Sequence, residues 1–233
     1  MSIEDTNTNV TEEYAVNIPV CPNNQVKLVG RIAGPFQFSH EVFGERFFTT
    51  YVSTCRKSEV EDVLPLVVSE RLIPEHIEQD LTDKMVEING QFRSFNMCTN
   101  ERSHLLLSVF VREFQLVEEE GVIYDFYSCS ENKIHLVGYL CKAPVHRKTP
   151  LGREIADLLV AVNRSYGKSD YIPCVCWGRN ASFAGKQPTG KQVEITGRIQ
   201  SRSYKKKIND NEIEDRVAYE VSVQTINFVA QDT

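Results

Sequence analysis

From residue 132 to residue 229 the apolar positions recur with a period of two, the spacing of strands with one face in a core, and not with the 3.6 period of helices. Along 170–177, Ile172, Cys174 and Cys176 alternate with Tyr171, Pro173, Val175 and Trp177, so one face reads as core and the other shows an aromatic at each end. The pattern predicts five strands, at about 132–141, 155–163, 170–177, 191–204 and 214–229. They are separated by Pro144, by Pro150-Leu151-Gly152, by the polar run from Asn163 to Lys168, by the stretch around Gly185 and Pro188, and by Asn209-Asp210-Asn211. Only the gap after the third strand has room for a helix, and Gly185 and Pro188 keep it short. Five strands with one short helix after the third make the OB barrel.

The same unit occurs twice. Val26-Lys27-Leu28-Val29-Gly30-Arg31-Ile32 matches Ile134-His135-Leu136-Val137-Gly138-Tyr139-Leu140 at an offset of 108, and Gly44, Arg56, Asp62 and Pro65 fall on Gly152, Arg164, Asp170 and Pro173 at that offset. After a one-residue deletion, Lys84 to Gly90 matches Lys191 to Gly197. In the first copy the helix after the third strand is expected over 74–80, with Pro74 at its start. The expected fold class is all-β with short helices, as two tandem five-stranded OB-fold β-barrels. The divisions are an acidic flexible leader at 1–22, a degenerate first barrel at 23–120, a linker at 121–131 and a second barrel at 132–230.

Composition is ordinary for a globular chain, with 41% hydrophobic and 25% charged residues over 233 positions. No apolar run reaches the length that spans a bilayer, and the first ten residues are acidic and polar where a signal peptide would be basic and then apolar. A cytoplasmic location, at the nucleoid, is the expectation. None of the seven cysteines forms a CxxC, and His40, His76, His104, His135 and His146 lack ligand spacing, so neither a metal nor a cofactor is expected. Cys174 and Cys176 read as small core residues on one strand face.

The net charge of −6 argues against a nucleic-acid partner until the halves are separated. Residues 1–124 hold 20 Asp and Glu against 10 Lys and Arg, whereas residues 125–233 hold 12 against 16. The second half can attract phosphate.

The second copy resembles the bacterial single-stranded DNA-binding protein family. The resemblance runs through Asn132-Lys133-Ile134, Leu136-Val137-Gly138, Thr149-Pro150-Leu151-Gly152, Ala161 to Tyr166, Asp170 to Arg179 and Val193 to Tyr204. It implies sequence-tolerant binding of single-stranded DNA in replication, recombination or repair, without catalysis. Binders of this kind combine a basic groove with aromatic faces, each stacked base contributing about 1–3 kcal/mol. Tyr171 and Trp177 are the strand aromatics, and Tyr166 and Tyr204 occupy the other two places where the resembled family puts stacking residues. The backbone candidates are Lys133, Arg147, Lys148, Arg164, Arg179, Arg198, Arg202 and the run Lys205, Lys206 and Lys207, which is read as lying opposite Arg164.

In the first copy the aromatic places hold Ser58, Val63, Ser69 and, approximately, Met97, while the core positions Leu64, Leu66 and Val68 are kept. That barrel is expected mainly to structure the assembly, with Arg56, Lys57, Arg93 and Arg102 left to guide DNA; for Phe36, Phe38, Phe43, Phe47 and Phe48 core packing is the default and an altered stacking surface the alternative. Because members of the resembled family work as four barrels, the resemblance implies a homodimer. The resembled family commonly has a flexible tail with an acidic, apolar tip that docks partner enzymes; the sequence departs from it in running Phe228-Val229-Ala230-Gln231-Asp232-Thr233, so docking through such a tip is not expected. The competing reading is an OB protein-interaction or assembly module, as in a primosome or mobile element, with weak DNA contact. A nuclease would need clustered carboxylates, which Asp157 and Asp170 alone do not supply.

Overall fold

A computed structural model describes residues 23–73, 80–99, 102–117, 125–209 and 212–229. The expected leader, the first-copy helix up to residue 79, residues 121–124 of the expected linker, most of the turn at 210–211 and the last four residues lie outside them, as do the side chains of Met97 and Arg102.

Strands form where the alternation runs. In the first copy they are β1 (Asn24–Ile32), β2 (Gln37–Val42), β3 (Glu45–Cys55), β4 (Glu61–Ser69), β5 (Met85–Thr99) and β6 (Arg102–Leu116). In the second they are β7 (Glu131–Leu140), β8 (Val145–Lys148), β9 (Glu154–Asn163), β10 (Ser169–Trp177), β11 (Gln192–Asn209) and β12 (Glu212–Phe228). Helix α1 (Phe126–Cys129) precedes β7, inside the stretch read as linker, and α2 (Arg179–Ala184) follows β10 as the spacing predicts. The five barrel strands of each copy are joined by a short edge strand, β2 or β8, that the periodicity missed. Both edge strands are exposed along their whole length, so their sequences carry no core pattern to read.

Each barrel closes where the end of its first strand pairs on both sides, at Arg31 and at Tyr139. β1 pairs with β5 from Val26 to Arg31 and, at its end, with β3 through Arg31 and Ile32, and β7 pairs likewise with β11 and β9. The crossing strand comes so close that a Cβ on Gly30 would stand 2.2 Å from the Ser53 carbonyl oxygen, and one on Gly138 2.3 Å from that of Ala161. This close approach explains why the repeat keeps a glycine in the middle of its first strand. Inside the barrels Leu28, Val52, Leu64 and Leu66 of the first copy and Leu136, Ile172, Ile195 and Ile199 of the second are fully buried. Cys174 and Cys176 are core residues, and burial holds both thiols protonated, Cys176 with a pKa pushed up to about 12.

The first-copy phenylalanines divide. Phe47 is buried and Phe36 and Phe48 pack against the core, but Phe38 is 56% exposed and Phe43 fully so, which corrects the default of core packing for those two. Phe38 lies on the edge strand β2, and Phe43 occupies the β2–β3 turn with a φ of +50°.

All twelve strands form one continuous sheet because β1 also pairs antiparallel with β7. Val26 stands opposite Ile134, Asn24 opposite Leu136 and Leu28 opposite Asn132. Val26 and Ile134 are also equivalent positions of the repeat, so a local two-fold axis relates the barrels through that pair. Lys27 meets Lys133 across this seam, and their repulsion is offset by Glu131, which pairs with both, and by Glu87, 3.3 Å from Lys27.

Substituting Gly138→Ala should lower the stability measured by urea denaturation by about 3 kcal/mol through backbone overpacking. Gly34→Ala, where a Cβ meets nothing within 4 Å, should leave stability unchanged or raise it by about 0.5 kcal/mol. Equal effects of the two changes would contradict the crossing geometry.

Candidate nucleic-acid interface

The four aromatics singled out from the second copy all reach solvent: Tyr166 is 99% exposed, Tyr171 44%, Trp177 42% and Tyr204 37%. Tyr171 and Trp177 point away from the core because β10 buries Ile172, Cys174 and Cys176 on its other face. Tyr166 stands at the tip of the β9–β10 loop in a left-handed conformation, with φ +64°, unusual for a residue with a side chain. The loop is pinned at its base by the Arg164 N–H donating to the Lys168 carbonyl at 2.7 Å. Tyr204 lies on the arm of β11 opposite Arg216, with the Arg202 guanidinium 5.8 Å from its ring centre.

The basic residues separate into two groups. Lys148, Arg179, Lys205, Lys206 and Lys207 are exposed. Arg202 is exposed beside Glu220, 3.6 Å away, Arg147 donates to Asp157 at 2.9 Å, and Lys133 pairs with Glu131. Arg164 and Arg198 are instead half-buried. Arg198 donates to the Gln200 side chain at 3.1 Å, and its desolvated guanidinium has a lowered pKa.

Arg164 belongs to the seam between the barrels, where the structure adds residues that sequence reasoning passed over. Its Nε donates to Asp170 Oδ2 at 2.7 Å and its Nη2 to Asp170 Oδ1 and to the Ser94 carbonyl, so it faces the first barrel rather than the lysine run. Asp170, 1% exposed, also accepts from the Ser94 N–H at 2.6 Å, and the Ser94 hydroxyl accepts from the Tyr171 N–H at 2.8 Å. The two-fold axis repeats the device: Asp62, fully buried, accepts from Arg56 Nε at 2.7 Å, Arg56 Nη2 at 2.6 Å and the Ser201 N–H at 2.8 Å. Asn24 and Asn132 form a second matched pair, each exchanging two hydrogen bonds with a backbone position, Phe92 and Ile199. The readable signal was an arginine six residues before an aspartate in both copies at one offset.

In the first barrel the places of Tyr171 and Trp177 are taken by Val63 and by Ser69, which is buried and donates to Glu45. Aromatic bulk has moved to the neighbouring strands. Phe47, opposite Ser69 on β3, stacks on His40 with ring centres 5.0 Å apart and packs 5.8 Å from Phe110 of β6. Tyr51, opposite Pro65, is 45% exposed. Among the described residues no group of three or more His, Cys, Asp and Glu side chains converges as metal ligands would, and no helix is long and apolar enough to cross a membrane.

Residues 131–229 match the single-strand binding protein family. Single-stranded DNA-binding protein B of Bacillus subtilis is 34% identical over 105 residues, which are 42% of this chain and 89% of that protein. The single-stranded DNA-binding protein of Clostridium tetani is 40% identical over 83 residues, 33% of this chain, and the chain spans 57% of its length. Among solved structures, the single-stranded DNA binding protein of Thermus aquaticus superposes with a TM-score of 0.68 at 16% identity, covering 90% of this chain and 94% of that one. That likeness takes in both barrels, where the sequence matches take in one.

If the buried aspartates hold the barrels together, Asp170→Ala should lower stability in urea denaturation by about 3–5 kcal/mol, because it strands Arg164 and the Ser94 N–H. Arg147→Ala, which breaks an exposed pair, should change it by less than about 1 kcal/mol. Comparable losses for both would show that the seam does not depend on Asp170.

Proposed function

The chain belongs to the single-strand binding protein family, and from that premise we propose that it binds single-stranded DNA with little regard to sequence, serving replication, recombination or repair. The carrying observation is that Tyr166, Tyr171, Trp177 and Tyr204 all present ring surface to solvent from the second barrel. Every base has a π-face, so stacking on these rings discriminates little among sequences, at about 1–3 kcal/mol per base. The backbone follows the exposed cations Lys148, Arg179, Arg202, Lys205, Lys206 and Lys207. Arg147 and Lys133 can exchange a carboxylate for a phosphate, whereas Arg164 serves by holding the frame and Arg198 is half-buried beside Gln200. Binding is therefore electrostatic in its salt dependence despite the acidic whole chain.

On the reading as a protein-interaction module the same rings would be buried against a partner and leave DNA unbound. Trp177 is the single tryptophan of the chain, so its fluorescence reports on the site directly. Titration with oligo-dT should quench it, the affinity should fall as salt is added, and Tyr204→Ala should weaken binding by about 1–3 kcal/mol. Absence of both quenching and a complex at low salt would defeat the proposal and favour the interaction module.

The working unit is a homodimer of four barrels, as the family resemblance implies; the β1–β7 seam supports it by making each chain a fixed pair. Light scattering should return twice the chain mass. A mass of one chain at micromolar concentration would contradict the dimer.

A further inference from the structure

The β9–β10 loop of the second barrel does not lie over its own barrel alone. Between it and the β5–β6 face of the first barrel is a cleft of about 540 Å³, lined by Gln91, Arg93 and Arg112 from one barrel and by Asn163, Tyr166 and Lys168 from the other, with Arg164 and Asp170 also in its lining. Four cationic side chains and one carboxylate line it, and that carboxylate, Asp170, is already bonded to Arg164. Cationic side chains thus outnumber acidic ones among the lining residues, in a chain whose net charge is −6.

Its cations are positioned. The Arg93 guanidinium lies 4.1 Å from the centre of the Phe110 ring and that of Arg112 lies 5.0 Å from it, so one aromatic ring holds two like charges close together. Arg93 also donates to the Gln91 side chain, at 2.7 Å through Nη2. Phe95 is on the same strand face, two residues along from Arg93. It is 40% exposed, 5.4 Å from the Arg164 guanidinium, and adjoins Ser94, which bonds the Tyr171 backbone.

The two-fold axis supplies a control. On the other side of the seam the equivalent positions bring together the second barrel's face and the first barrel's loop. There Tyr166 is replaced by Ser58, Lys168 by Val60, Arg93 by Gln200 and, through the registers of the two hairpins, Arg112 by Gln224. Packing two barrels along β1 and β7 therefore does not require these groups, since the matching side of the same seam is built without them.

We propose that the first barrel shares the grip on DNA: this cleft takes one nucleotide of the bound single strand, with Arg93, Arg112 and Lys168 receiving its phosphate and Tyr166 stacking on its base. Phe95 continues the stacking surface from the cleft to Tyr171. Tyr166 then acts on the first barrel's side of the seam, whereas the equivalent loop on the other side presents only Ser58 to the second barrel. This rests on the reading of the chain as a single-strand binder and departs from the sequence expectation that the first barrel mainly structures the assembly.

The test uses the full chain, labelled oligo-dT and a series of salt concentrations. Arg112→Gln should reduce the slope of log affinity against log salt by about 0.7, the loss of one phosphate contact on a single strand. Phe95→Ala should weaken binding about five- to 150-fold, Phe95→Tyr should restore it, and Arg46→Gln, on the first barrel away from the cleft, should change nothing. Wild-type slope in Arg112→Gln together with wild-type affinity in Phe95→Ala, in a protein that Tyr204→Ala still weakens, would overturn this proposal and leave the function standing. Failure of the wild-type chain to bind oligo-dT would overturn both. Should Phe95→Ala not fold, the slope of the surface variant Arg112→Gln decides alone.

Discussion

The antiparallel pairing of β1 with β7 is the interaction on which the rest of the molecule depends. It merges two barrels into one sheet, places a local two-fold axis at Val26 and Ile134, and brings β5 of one barrel against β10 of the other. Strand pairing alone would leave that second contact loose. The buried aspartates secure it, because each carboxylate in a site of low dielectric has an arginine from its own barrel and a backbone N–H from the other. Separation of the barrels would break all of these bonds together, and a buried carboxylate deprived of partners is expensive.

That arrangement governs where function can lie. Arg164 holds Asp170 and also donates to the Ser94 carbonyl, so the loop that carries Tyr166 is tied to the first barrel as well as to the second. The aromatic surface is consequently not confined to a single barrel. Tyr171 and Trp177 follow from strand alternation within β10, whereas the position of Tyr166 follows from the seam.

Much of this was legible in the sequence because the repeat marks positions under strict geometric demand. Gly30 and Gly138 recur since no side chain fits where the first strand crosses, and Arg56-Asp62 recurs as Arg164-Asp170 since both halves of the seam need the same ion pair. The outward aromatics of β10 were readable because their neighbours form an unbroken core stripe. What escaped was set by context beyond the local pattern. Hydrophobicity gave no sign that Phe38 sits on a strand exposed on both faces, and the brief Val145-His146-Arg147-Lys148 has no alternation to betray a strand. A positive charge in the sequence does not name its partner, so Arg164 and Arg198 could not be told from Arg179. Arg112 and Phe95 gained significance only when the seam set them beside a loop from the other barrel.

Because the seam joins two halves of one polypeptide, their encounter is intramolecular and does not weaken on dilution as it would between separate subunits. There is a further consequence for divergence. In a pair of identical subunits every substitution appears on both sides of the axis, and a residue useful on one side must be tolerated on the other. Tethering removes that coupling. A tyrosine can stand at position 166 while its counterpart at 58 is a serine, and the two sides of one symmetric framework are free to specialise without losing each other.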